Sequence, residues 1–270
     1  MDFLGLRGKR ILVFGVANRK SVACHIADVL LENGAEVAFS VFLDDHAAFC
    51  GKRFPGSEVY GCDLSKEGDI ADLAERFAAS GKRLDGIVHS VAFANFAEGA
   101  KPFHETAKED FLYSMDVSCY SLINIARGFK DILNPNSAIV TISISTTTMA
   151  AQSYGYMAPV KAALDSSVRF LAKSLGGPDG IRVNAVGASL LKTSSSAGIP
   201  GYVEPYIFAE KATIRKKALQ TGEVADAAVF LLSPRSSGIN AQTVVLDAGM
   251  SANYFDSEIV KAVVDAKGQG

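Results

Sequence analysis

Seven short apolar runs recur along the chain, at residues 10–15, 36–42, 58–62, 85–90, 138–143, 181–186 and 243–247. Between them lie segments whose apolar residues repeat at helical spacing. Val22, Ala23, Ile26, Ala27 and Leu30 form one such stripe, Ile70, Leu73, Ala74 and Phe77 another, and Leu164, Val168, Leu171 and Leu175 a third. Short apolar runs without alternation suit strands buried on both faces, and amphipathic helices suit the covers. The alternation predicts an α/β fold: one doubly wound parallel sheet of seven strands with helices on both faces. Helices are expected from Ser21 to a stop at Asn33 and Gly34, and over 66–80, 108–133 and 223–232. Another carries Lys161 and runs to about Leu175. A less regular stretch follows Ser189, and the charged tail 256–270 is expected to be solvated. No repeat, low-complexity run or linker divides residues 1–270, so a single domain is expected.

Composition narrows the function classes. Of the 270 residues 49% are hydrophobic and 21% charged, a globular profile. The net charge of -2 gives no electrostatic case for nucleic acid or an anionic membrane. No apolar run is long enough to span a bilayer, and residues 1–10 hold no apolar signal core, so a cytoplasmic protein is expected. Cys24, Cys50, Cys62 and Cys119 show neither paired spacing nor a neighbouring His cluster. They read as reduced, buried thiols, and no metal is expected.

In a doubly wound sheet, ligands bind outside the carboxyl ends of the strands. Gly15, Phe42, Asp63, Ser90, Ser143 and Gly187 stand there. The turn after the first strand has one glycine, Gly15, followed by Ser21 and Ala23. Such small residues let backbone N–H groups approach a pyrophosphate, although an ordinary strand-to-helix connection reads the same way. Tyr154 precedes Lys161 by seven positions, close to two helical turns, so the two share a face. A phenol beside an ammonium suits stabilisation of negative charge building on an oxygen. Their helix begins at the strand edge where a dinucleotide would lie, which favours this use over simple packing.

The quoted motifs together resemble the short-chain dehydrogenase/reductases, and more narrowly the enoyl-acyl-carrier-protein reductases, over nearly the whole chain. Carrying the resemblance are Gly15 to Asn18 with Ser21 to Ala23, Cys62 to Leu64, His89 to Phe93, and Leu133 to Pro135. It continues through Tyr154, Met157 and Lys161, Arg182 to Ala185, Thr193 and Asp247 to Gly249. Ordinary members of the wider family place tyrosine four residues before lysine; here that position is Met157, which cannot act as an acid. The resemblance implies a Rossmann-type fold. It also implies hydride transfer from a nicotinamide to the β-carbon of a trans-2-enoyl thioester, on acyl carrier protein or coenzyme A. Tyr154 would hydrogen-bond the enolate oxygen, and Lys161 would hold the ribose. Gly15 and Ser21 would line the pyrophosphate, Asp63 and Leu64 the adenine, and Ser90 and Ala92 the ribose and nicotinamide. Thr193 would reach the pyrophosphate from the other side, with Ala17, Val22, Phe42 and Val91 completing the cofactor set. The segment near 189–215 would close over substrate, with Tyr202, Tyr206, Ile207 and Phe208 as pocket lining or as helix packing. A homotetramer is implied by the resemblance alone.

Cofactor choice is argued from residues 40–45. A 2′-phosphate wants Arg or Lys at the end of the second strand, and Phe42, Leu43, Asp44 and Asp45 offer none. NADH is expected over NADPH, with Arg19 and Lys20 the competing consideration. The resemblance breaks at the substrate. A second tyrosine expected ten residues before Tyr154 is Ile144, so Ser145 or Thr146 supplies a hydroxyl only after a shift in register. Ser189 and Leu190 replace Gly-Pro, and Lys192 replaces arginine. A related reductase with a changed substrate, or a dinucleotide-binding protein without turnover, therefore stays open. His89 reads as a hydrogen-bonded core residue. His104 has no evident partner, and Asp116 and Ser118 are taken as structural.

Overall fold

The computed structural model describes residues 2–97, 99, 101–151 and 155–267. Seven strands form one parallel sheet: β1 (Arg10–Phe14), β2 (Glu36–Val41), β3 (Val59–Gly61), β4 (Leu84–His89), β5 (Leu133–Ile144), β6 (Arg182–Ala188) and β7 (Thr243–Leu246). Their order is β3-β2-β1-β4-β5-β6-β7, with every neighbouring pair parallel. The order reverses between β1 and β4, which leaves a crevice at their carboxyl ends.

The central strands have no solvent face, whereas β3 and β7 at the edges are partly exposed. Along β1, Ile11 and Val13 enter one core, while Leu12 and Phe14 enter the other. Side chains alternate across a strand, so both faces of β1 must be covered. Helices α1 (Val22–Glu32) and α2 (Asp44–Arg53) lie on the first face, with α9 (Thr221–Leu232). Helix α3 (Glu67–Ala79), the composite helix from Lys108 to Phe129, and α6 (Met157–Leu175) cover the second. Each large apolar side chain fully buried there contributes about 2 kcal/mol. Phe14, Phe77 and Phe129 form an edge-on aromatic run within that core.

Several expectations need correction. Helix α2 was not anticipated, because Cys50 is its only buried residue and no apolar stripe marks it. The long helix ends at Phe129, not Leu133, which opens β5. That helix is three pieces: α4 (Lys108–Met115), a π-turn over Asp116–Tyr120, and α5 (Ser121–Phe129). The stretch after Ser189 contains α7 (Ser194–Ala197) and α8 (Val203–Ala212). The tail forms a helix, α10 (Ser257–Lys267), with no buried residue, in keeping with the expected solvation. His104 does have a neighbour, Glu105, at 3.8 Å on the surface. All four cysteines are free and buried. Among the described residues no helix is long and apolar enough to cross a membrane, and no acidic, His or Cys cluster could hold a metal ion.

Candidate active site

Lys161 lies in the second turn of α6, behind Pro159. Proline suits that first turn, whose N–H groups have no intrahelical partner. The Lys161 ammonium is buried, and it donates to the carbonyl oxygens of Ile142 at 2.8 Å and Val91 at 3.2 Å. An ammonium has three donors, so among the described residues one has no partner and is open to a ligand. Burial lowers its pKa to about 8, partly opposed by Cys119 and Asp165. Tyr154 lies outside the described residues. Two residues on, the buried Tyr156 accepts from the Asn95 N–H at 2.9 Å and donates to the Asn95 carbonyl at 3.3 Å. Sequence reading missed this clasp. Nothing in the chain marks a tyrosine whose partner is a backbone group 61 residues away.

The two carbonyls that hold Lys161 are themselves fixed. His89, at the end of β4, places Nδ1 2.8 Å from Thr141 Oγ1 on β5 and Nε2 2.9 Å from Ser121 Oγ. Burial pushes its pKa down to about 3, so the imidazole is neutral and acts as a staple. The expected core role of His89 is thus what its partners give it. In the π-turn, the backbone N–H at its end reaches Asp116 O, and the Ser121 hydroxyl donates to Val117 O at 2.7 Å. The same turn aims Ser118 at the loop after β4, where its hydroxyl accepts the Phe93 N–H at 2.9 Å. Ser118 is therefore structural, as expected. Asp116 is raised by burial and by the neighbouring Glu67 and Asp63.

The remaining predicted residues line the same strand edge. Gly15 has φ +97°, and a Cβ there would sit 2.1 Å from the Ser90 carbonyl oxygen, so only glycine lets β1 and β4 close together. Ala17 follows in the loop. Ser21 and Val22 begin α1, but the Ser21 hydroxyl donates to Asn18 O at 2.7 Å and does not cap the helix. No acidic residue occupies its first turn. The N-terminus of α1 therefore faces the crevice with uncapped N–H groups. Phe42 is 60% exposed at the end of β2, followed by exposed Leu43, Asp44 and Asp45. Asp63 is turned inward. Burial raises its pKa, but hydrogen bonds from Ser65 and the charge of Lys66 outweigh this and hold it low. Leu64 beside it is half-buried. Ser90 donates its N–H to Phe14 O at 3.2 Å, and Val91 and Ala92 follow. Thr193 caps α7, and Ser194 donates to Asn18 Oδ1 at 2.8 Å, tying that segment to the first loop. An uncapped helix N-terminus, an exposed aromatic ring and a buried ammonium with a free donor fit a pyrophosphate, an adenosine and a ribose.

Beside this edge lies a cavity of about 820 Å³. That volume is near the upper end of small-molecule sites. Ile144, Pro159, Leu190, Phe208 and Met250 give it apolar walls. Tyr202 lines it and is also packed: its hydroxyl accepts from Leu191 N at 3.0 Å and donates to Leu191 O at 2.9 Å. Burial pushes its pKa up to about 12. Tyr206 is buried beneath Lys192, whose ammonium sits 4.5 Å from the ring centre, while Ile207 faces outward. The Ser145 hydroxyl is buried and without a hydrogen-bond partner, whereas Thr146 and Thr147 line the cavity.

A family model described as enoyl-(acyl carrier protein) reductase matches residues 15–251. The chain is 32% identical over 254 residues to the NADPH enoyl-[acyl-carrier-protein] reductase of Staphylococcus aureus, covering 92% of this chain and 99% of that one. It is 33% identical over 251 residues to the NADH enzyme of the same description from Escherichia coli, covering 91% and 95%. The crystal structure of the NADH enzyme from Aquifex aeolicus superimposes with a TM-score of 0.86 at 34% identity, over 91% of this chain and 97% of the other.

Proposed function

The chain belongs to the enoyl-(acyl carrier protein) reductase family, and on that premise we propose that it reduces the trans-2 double bond of an enoyl thioester with NADH. The observation that carries the reading is the buried Lys161 ammonium, held by Val91 O and Ile142 O beside a large apolar cavity. A bound nicotinamide dinucleotide supplies the hydride. The N-terminus of α1, with Gly15, Ala17, Ser21 and Val22, receives the pyrophosphate, and Thr193 closes on it. Phe42, Asp63 and Leu64 surround the adenosine, while Ser90, Val91, Ala92 and the free donor of Lys161 hold the nicotinamide riboside. The thioester enters from the cavity. As hydride reaches the β-carbon, the double-bond electrons move towards the thioester oxygen. Tyr154 hydrogen-bonds that oxygen, and the nearby Lys161 charge favours its negative form. A proton taken from solvent at the α-carbon completes the reduction.

NADH is the preferred cofactor in this reading, because Phe42, Leu43, Asp44 and Asp45 place no cation where a 2′-phosphate would sit. The relatives carry both the NADH and the NADPH descriptions. The segment near 189–215 acts as the cover of the substrate, with Tyr202 as its clasp. The acyl group arrives on acyl carrier protein or coenzyme A. The chain works as a cytoplasmic homotetramer of single domains. Exposed Tyr113 on α4, Ile123 on α5, Phe170 on α6 and Val245 on β7 support subunit contacts, which light scattering would test.

Steady-state NADH oxidation with trans-2-enoyl thioesters on both carriers tests the reading. Turnover is expected. NADH binding without turnover on any of them would contradict it. A second reading, a related reductase of another conjugated carbonyl, is favoured by one observation: Ile144 makes an apolar wall at the reacting end of the cavity. Turnover of enones with none of thioesters would select it.

A further inference from the structure

A carbonyl oxygen that gains charge in an apolar cavity needs hydrogen-bond donors that are free to reach it. Three of the polar side chains on the cavity wall are already committed. The Tyr202 hydroxyl is held by the backbone of Leu191. The Asn253 amide donates to Ala212 O at 2.8 Å and to Asp256 at 3.2 Å. The Ser189 hydroxyl points to the Met250 sulfur at 3.7 Å. Ser251 and Tyr254 come after β7, a strand that lies two places from β5 in the sheet, about 10 Å away.

The reacting end of the cavity is marked by β5 and α6. Ile142 holds Lys161, Ile144 lines the wall two residues later, and Ala158 and Pro159 line it from the helix that carries Lys161. Directly after Ile144 the chain is pinned by the Ser145 N–H, which donates to Ala188 O at 2.9 Å. The Met149 N–H closes a turn on Thr146 O at 3.1 Å. This turn presents Thr146 and Thr147 to the cavity, both half-buried, with no hydroxyl partner among the described residues. Thr148 beyond them is exposed. Thr146 is the first cavity hydroxyl after the apolar wall, on the tightly held side of the turn.

We infer that the Thr146 hydroxyl is a catalytic residue of this chain: it donates a hydrogen bond to the substrate carbonyl oxygen, alongside Tyr154. The assignment rests on the enoyl thioester reading. Hydride bonds to the β-carbon, the carbon–carbon π pair becomes the bond between the α-carbon and the carbonyl carbon, the carbonyl π pair moves to the oxygen, and a solvent proton then bonds to the α-carbon as the carbonyl re-forms. The threonine proton stays on threonine, so its role is electrostatic. Because the oxygen is most negative in the transition state, the contribution falls on kcat more than on KM.

The test compares wild type, Thr146→Val, Thr146→Ser, Thr147→Val and the double variant Thr146→Val with Ile144→Tyr, using NADH and a trans-2-enoyl thioester. Valine keeps the β-branched shape and removes only the hydroxyl. Thr146→Val is expected to lose about 10²-fold in kcat, with NADH affinity and melting temperature held. Thr146→Ser keeps the rate. Ile144→Tyr restores the double variant, because a phenol on that wall supplies the missing donor, a rescue that a packing role would not give. Full activity of Thr146→Val overturns the assignment alone, as does a loss confined to Thr147→Val. A wild type silent towards every enoyl thioester overturns the reductase reading and this assignment together.

Discussion

The Lys161 ammonium sits 2.8 Å from the carbonyl oxygen of Ile142, two residues before the Ile144 side chain that walls the cavity. One strand, β5, thus anchors the site's cation with its backbone and shapes the substrate space with its side chains. The cation and the cavity cannot shift independently, because both depend on where β5 ends.

Burial of Lys161 has a pH signature. Its pKa falls from 10.5 to about 8. Below pH 8 both folded and unfolded chains hold the proton, and the cost of burying the charge is fully present. Between about pH 8 and 10.5 the unfolded chain binds more protons than the folded one, so stability rises with pH through that window. Lys161→Met removes this contribution. Denaturant melts of the two proteins from pH 7 to pH 11, roughly spanning that window, should show the stability of wild type gaining on the variant. A constant difference would contradict the buried, depressed ammonium.

Gly15 is predicted to be intolerant of any side chain. Its φ of +97° and the 2.1 Å approach to Ser90 O combine backbone strain with a clash against backbone. Gly15→Ala should cost on the order of 3 kcal/mol in chemical denaturation. Gly8→Ala, with a positive φ but open space around it, should cost less.

Removal of the Tyr202 hydroxyl should loosen the cover locally. Tyr202→Phe leaves the ring and takes both bonds from Leu191. Amide exchange at Leu191 should quicken about fivefold, the factor for ~1 kcal/mol, while core strands keep their protection. Unchanged exchange at Leu191 would mean that the clasp does not hold the segment.

Cofactor preference should respond to a single charge. Phe42→Arg places a guanidinium where the second strand ends. It should improve NADPH relative to NADH by roughly tenfold, within the range of one charge-assisted hydrogen bond. If the ratio stays fixed, Arg19 and Lys20 in the first loop set the preference.

The parallel sheet was legible because each strand is an apolar run and each covering helix carries a stripe, as in Ile70, Leu73, Ala74 and Phe77. The place of Lys161 on the helix after β5 was legible, but its expected helical spacing to Tyr154 was not, because α6 opens only at Met157. Helix α2 was not, since it buries one residue and carries acidic residues at its start and basic ones at its end rather than an apolar stripe. The π-turn at Asp116–Tyr120 was also hidden, because its cause is tertiary: Ser118 and Ser121 must face Phe93 and His89, far along the chain. Tyr156 and Tyr202 bind backbone groups, which leave no trace in side-chain pattern.

Hydride is expected to reach the β-carbon of an enoyl thioester in this cavity. NADH deuterated at its transferable position, incubated with a trans-2-enoyl thioester, tests it directly by mass spectrometry and NMR of the product. One deuterium is expected on the β-carbon of a saturated acyl group, with Tyr154→Phe greatly slowed. An unreacted thioester, or deuterium at another carbon, would contradict it.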